Sequence, residues 1–208
     1  MRIVSLAALL LAAPLLAQMP TTPPGSRNPA AVTAGTYAAD PNHTLVTWTV
    51  DHMGFTPYTG IFGDVTGTLT LDPRNLAATK VDVTIPVSKV TTASSGLTAH
   101  LTRPAASGGK PDFFGADMTA RFVSTRVVVA GQKATVTGDL TLNGVTRPVT
   151  LAAEFYGAGT APAQMGGKAN VGFHATATIR RSEFGLGFAV PIVSDAVKLD
   201  IAAGFMKQ

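Results

Sequence analysis

Four histidines, His43, His52, His100 and His174, are the side chains of this 208-residue chain best placed by chemistry to move a proton or hold a metal near neutral pH. None stands two, three or four residues from another, so the local spacings that announce a zinc site are missing. His52, in the Gly- and aromatic-rich stretch "DHMGFTPYTG", is the hardest to explain as a structural histidine. With a nearby acid, His52 or His174 is the candidate base of an enzyme acting on a lipid or small apolar substrate. The acids Asp51, Asp64, Asp82, Asp139 and Asp200 fall on the polar faces or ends of β-like runs, where solvation accounts for them. The chain has no cysteine, and with it no disulfide framework or thiolate site. It has no G-x-S-x-G nucleophile elbow. "GLGFAV" carries two of the three glycines of a dinucleotide loop without the following helix. No catalytic residue, metal ligand or cofactor is assigned on these grounds.

Two arginines remain, Arg180 and Arg181, directly before "SEFGLGF". Strand alternation sends them to opposite faces, so at most one reaches a cavity mouth. There it could pair with an anionic head group, or with Glu183 or another acid to fix the loop. Gly185 and Gly187 let the backbone pass close beside Phe184 and Phe188.

The elements that must position these groups are strands. "HTLVTWTVD" places Val46, Trp48 and Val50 on one face, and "IFGDVTGTLTLD", read as a single strand, does the same for Ile61, Val65, Leu69 and Leu71. "KVDVTIPVSKV" alternates through Val81, Val83, Ile85 and Val87, with Pro86 marking an edge or bulge. Residues 121–155 supply three more strands, and Asn143-Gly144 between two of them is the signature of a tight hairpin. The last strands are "ANVGFHATATIRR", a stretch around Val190 to Val193, and "AVKLDIAAGFM". One short helix is expected in "TTASSGLTAHLT", followed by a Gly- and Ser-rich insert. About eight strands with no crossover helix favour an all-β, antiparallel sheet closed on itself.

Arg2 followed by an apolar run to Leu16 and a small residue at Ala17 predicts a secretory signal peptide over residues 1–17, too short to span a bilayer, and hence export to the periplasm. Residues 18–35, "QMPTTPPGSRNPAAVTAG", read as a Pro-rich flexible leader. Residues 36–208 are then one domain. The sixteen Lys and Arg, less Arg2, stand against twelve Asp and Glu and are scattered, which excludes a nucleic-acid partner. Phenylalanines occur in or beside nearly every strand, so the barrel interior is either solid core or a cavity for one slim ligand.

Four segments in order, "YAADPNHTLVTWTVDHMGFTPYTGIFGDVTGTLTLD", "FFGADMTARFVSTRV", "VTGDLTLNGVTRPVTL" and "RRSEFGLGF", resemble the YceI-like family of exported, lipocalin-like barrels associated with polyisoprenoid binding. The resemblance runs from about Tyr37 to the C-terminus. Two departures from the family pattern, the insert between His100-Leu101 and Phe113-Phe114 and the "GADMTARF" that follows, fall where the resemblance sets the barrel mouth. It implies a single antiparallel barrel with an apolar lumen holding an isoprenoid chain such as a polyprenyl lipid or quinone tail, with no activity of its own. It also suggests a homodimer. The candidate ligand-binding residues are Trp48, His52, Phe55, Phe62, Phe113, Phe114, Phe122, Phe173, Arg180, Arg181, Phe184 and Phe188. The energetics suit such a ligand: at about 0.8 kcal/mol per buried carbon, one isoprene unit gains roughly 4 kcal/mol, and a few units offset an association cost of about 4–15 kcal/mol. The alternatives are the histidine enzyme above and a filled barrel whose outer face binds protein.

Overall fold

The computed structural model describes residues 20–105 and 109–208. The signal-peptide reading falls outside these residues. The strands in chain order are β1 (Gly25–Ser26), β2 (Gly35–Ala39), β3 (Leu45–His52), β4 (Thr56–Phe62), β5 (Thr66–Leu71), β6 (Lys80–Ile85), β7 (Ala120–Ala130), β8 (Lys133–Leu142), β9 (Val145–Thr160), β10 (Ala169–Arg180) and β11 (Ala196–Lys207), with helix α1 (Ser95–Leu101) between β6 and β7. Eight of them, in the order β2-β5-β6-β7-β8-β9-β10-β11 and back to β2, close an antiparallel barrel. The remaining hairpin, β3-β4, shares β11 with β2: Phe205–Lys207 pair with β2, and Lys198–Ala202 pair with β3. The expected all-β, lipocalin-like barrel with one short helix is therefore the observed architecture.

Alternation fixes which side chains face inward, and two bulges keep it in phase with the closing sheet. In β7 the pairing with β8 shifts between Ser124 and Arg126, leaving Thr125 as the extra residue. Phe122 and Val127, five residues apart, can then both be buried. In β9 the pairing with β10 skips Tyr156, so that Phe155 and Ala158 are both buried while Tyr156 points to solvent. The Asn143-Gly144 turn forms as expected, with φ of 52° and 72° between the paired Leu142 and Val145. Helix α1 starts where Ser94 accepts a hydrogen bond from the Leu97 amide at 3.2 Å, and it buries Leu101.

Three local readings are corrected. "IFGDVTGTLTLD" is not one strand: β4 ends at Phe62, Asp64 takes a left-handed φ of 53°, and β5 begins at Thr66. The break turns Ile61 outward, to 39% exposure, while Val65, Leu69 and Leu71 stay inside. The stretch from Val190 to Val193 forms turns with a bridge from Val193 to His52, because Ala189 takes a left-handed φ of 59° and the Val193 amide donates back to the Ala189 carbonyl at 2.8 Å. The Pro-rich segment read as a flexible leader lies against the barrel: Gly25 and Ser26 pair with Gly159 and Ala158 of β9, and residues 29–31 form a 3-10 turn capped by Asn28.

The apolar interior divides into two clusters. One, around Trp48, Phe62, Phe122, Phe184 and Leu186, fills the end of the barrel beneath α1 and the 181–188 segment. The other, around Tyr37, Leu69, Phe155, Val171 and Phe205, packs the end nearer the leader.

Candidate ligand site

Inside the barrel lies a cavity of about 460 Å³, within the range of sites that enclose drug-sized ligands. Its wall is built from the inward positions of β5 to β11, including Leu69, Val83, Val136, Leu140, Leu151 and Leu199. These aliphatic residues were missing from the sequence-derived candidates, although the two-residue alternation that marks the strands already assigns them to one face. Among the lining residues only Lys133 and Glu154 carry charge, and they sit opposite one another on β8 and β9 beside the β7-β8 turn. Gly131 and Gln132 of that turn, Pro73, Leu76 and Thr79 of the β5-β6 connection, and Pro29 and Val32 of the leader line the same end. We assign the mouth to that end, where the charged and loop residues of the lining gather. Thr44, the one deeply buried neutral polar side chain, is satisfied: its hydroxyl donates to the Gly204 carbonyl at 3.0 Å and accepts from the Gly204 amide at 3.1 Å.

Of the aromatic candidates, Phe122 and Phe173 line this cavity. Phe122 lies across Gly138, where an added Cβ would fall 2.4 Å from its ring. Most of the others form a plug at the opposite end. Trp48 packs over Gly60 and against Phe62 at 6.2 Å, and Phe62 meets Phe114 edge-on at 5.4 Å. Phe113, Phe188 and His100 form a second group with centroids 5.4–6.2 Å apart. Phe184 is 1% exposed beneath them. Phe55, at the β3-β4 tip, is 84% exposed and touches no lumen, and His52 is exposed beside it. Phe113 and Phe114, which follow the insert, and Met118 of the departing "GADMTARF" pack on this plug and not at the mouth.

Arg180 and Arg181 do point to opposite sides. Arg180 is exposed, 3.9 Å from Asp195. Arg181 is buried, and its guanidinium donates to four backbone carbonyls: Ser194 at 2.9 Å, Leu186 at 2.7 Å, Phe188 at 2.7 Å and Val193 at 2.8 Å. Burial lowers its pKa, with Asp195 opposing the shift. The acid that holds this loop is Asp195, which accepts from the Ser182 amide and hydroxyl, each at 2.8 Å. Those bonds keep its carboxyl below the usual carboxylate range. "RRSEFGLGF" is thus the knot of the plugged end, and neither arginine stands at the mouth.

Three histidine-acid pairs occur among the described residues, none of them at the lumen cavity: His100 lies 3.9 Å from Asp112 beside the plug, and the other two stand on the outside of the barrel. His174 lies 2.9 Å from Asp200 and His43 2.6 Å from Asp40, and both imidazoles border an open groove on the outer face of β9, β10 and β11. No histidine lines the lumen cavity among the described residues. No cluster of three or more metal-ligating side chains occurs among them either.

A model of the YceI-like domain matches residues 37–205. The chain belongs to the YceI-like family. It is 37% identical over 168 residues to the YceI protein of Escherichia coli O157:H7, covering 80% of this chain and 83% of that one. Among solved structures of the fold, Burkholderia cenocepacia BcnA superposes with a TM-score of 0.66 at 24% identity, covering 80% of this chain and 98% of BcnA. A polyisoprenoid binding domain from Saccharophagus degradans, implicated in plant cell wall breakdown, superposes at 0.57 with 13% identity, over 83% of this chain and 98% of that domain. The YceI-like match begins at Tyr37, so the leader that lines the mouth lies outside it.

Proposed function

We propose that this YceI-like protein is an exported periplasmic carrier that holds the chain of an isoprenoid amphiphile, such as a polyprenyl lipid or a quinone, in its barrel and performs no chemistry on it. One observation carries the reading: an interior cavity walled by aliphatic side chains and four phenylalanines and charged only at its mouth. Such a wall offers a ligand burial and almost no hydrogen bonds, so it selects for length and slimness, and chain lipids have both. The polyisoprenoid binding of the Saccharophagus domain, which has the same fold, points the same way. Export follows from the signal peptide read at residues 1–17, and a homodimer from the family resemblance. No helix among the described residues is long and apolar enough to cross a membrane.

The test is extraction of protein purified from a bacterial host with organic solvent, followed by mass spectrometry. A lipid of several isoprene units, in near-stoichiometric amount, is expected. Protein that yields no lipid, and takes up none when offered long-chain prenols, would reject the proposal.

A further inference from the structure

The segment N-terminal to the family match is built into the mouth. Gly25 and Ser26 add a short strand to the edge of β9 at Gly159 and Ala158, past the point where β8 ends at its pair with Glu154. The seat is cut to backbone thickness: a Cβ on Gly159 would fall 2.1 Å from the Pro24 carbonyl oxygen, and one on Gly157 would fall 3.1 Å from that of Ser26. The Arg27 guanidinium rests 5.6 Å from the Tyr156 ring centroid, and Tyr156 is the residue that the β9 bulge turns outward. Beyond the 3-10 turn at Pro29–Ala31, Thr33 is tied down by Lys207, which donates to its hydroxyl at 3.1 Å, and by the Tyr37 hydroxyl, which donates to its carbonyl. Between these two anchors Pro29 and Val32 form part of the cavity lining.

The segment is anchored at both ends but weakly held in between. Residues 21–31 are all exposed, and the added strand is two residues long. An element with so few buried contacts opens locally at far lower cost than the barrel unfolds. We propose that residues 24–33 are a strap across the tunnel mouth, and that its opening sets the rate at which a chain lipid enters and leaves. This rests on the lipid-binding reading. Pro29 and Val32 line the end by which a long chain would enter, whereas at the other end Phe184 and Leu186 are buried in the plug.

The chain has no cysteine, so a Ser26→Cys/Ala158→Cys pair would be its only thiols. These residues face each other in the ladder, where Cα atoms about 4.5–5.5 Å apart suit a disulfide. The probe is geranylgeraniol carrying an anthraniloyl fluorophore, followed by energy transfer from Trp48, the single tryptophan, while excess unlabelled geranylgeraniol displaces it. The oxidised variant should release the probe at least tenfold more slowly than the same sample after reduction. Gly159→Ala, which displaces Pro24, should release it severalfold faster than wild type. Equal rates in the oxidised and reduced samples, both folded by circular dichroism and both loaded, would overturn the strap while leaving lipid binding intact. Failure of wild type to load the probe at all would overturn the lipid-binding reading and the strap with it.

Discussion

Arg181 shows how much one side chain can hold. Its guanidinium gathers the carbonyls of Leu186, Phe188, Val193 and Ser194 into one buried fork, which pins two loops over the plug. Arg181→Met would leave those carbonyls without a donor in a site water reaches poorly. At about 1–3 kcal/mol for each buried acceptor left unsatisfied, a loss of at least 3 kcal/mol in urea unfolding is expected. Arg181→Lys should recover only part of it, because an ammonium cannot reproduce the planar fork. The cavity lies at the other end, so the folded fraction of either variant should bind a prenol as wild type does. A selective loss of binding without loss of stability would return Arg181 to the mouth. Its type and position are plain in the sequence, but its partners are backbone carbonyls five to thirteen residues further on, and no side-chain pattern announces them.

At the level of elements, the plug segment 181–184 is tied to the start of β11 through Asp195, whose carboxylate takes both Ser182 donors. Its folded pKa is depressed, so its contribution to stability is fully present above the unfolded value of about 3.9 and is lost as pH falls through the folded value. The thermal midpoint should therefore drop below about pH 4, and Asp195→Ala should flatten that part of the acid limb while lowering the midpoint at neutral pH. An unchanged acid limb in the variant would assign it to other carboxylates, such as Asp82, which Arg121 holds through bonds of 2.6 and 2.9 Å. Most elements were legible in the sequence because alternation and turn chemistry are local: β7 to β9, the Asn143-Gly144 hairpin and α1 all stand where they were expected. The exceptions have non-local causes. Asp64 enters a left-handed turn that splits an unbroken apolar pattern. Two bulges shift the inward phase within single strands. Residues 190–193 read as a strand from their apolar side chains, yet the left-handed Ala189 and the Val193 amide that turns back to its carbonyl fold them into turns.

For the whole molecule, the question left open by the sequence was whether the interior is core or cavity, and the barrel contains both. Most of the aromatic candidates for a greasy binding site interlock with one another and make the plug, because edge-on ring packing fills space efficiently, while Phe122 and Phe173 stay on the cavity wall. Aliphatic residues with small neighbours such as Ala134, Ala153 and Ala175 leave the space between. Composition is the same in either arrangement, and only the register around the closed barrel decides which face meets which. On the proposed reading, this shape, plugged at one end and strapped at the other, would hold a chain lengthwise with its head near Lys133 and Glu154, the charged residues of the lining.

Filling the cavity tests this most directly. Ala175, 6% exposed and on the cavity wall, can be replaced by Phe, whose ring projects into open space and not into packed core. Titration of wild type and Ala175→Phe with anthraniloyl-geranylgeraniol should show affinity weakened at least tenfold, or ~1.4 kcal/mol, with the melting temperature of the ligand-free variant held or raised. Undiminished affinity in a folded Ala175→Phe protein would place the lipid outside the barrel and contradict the account.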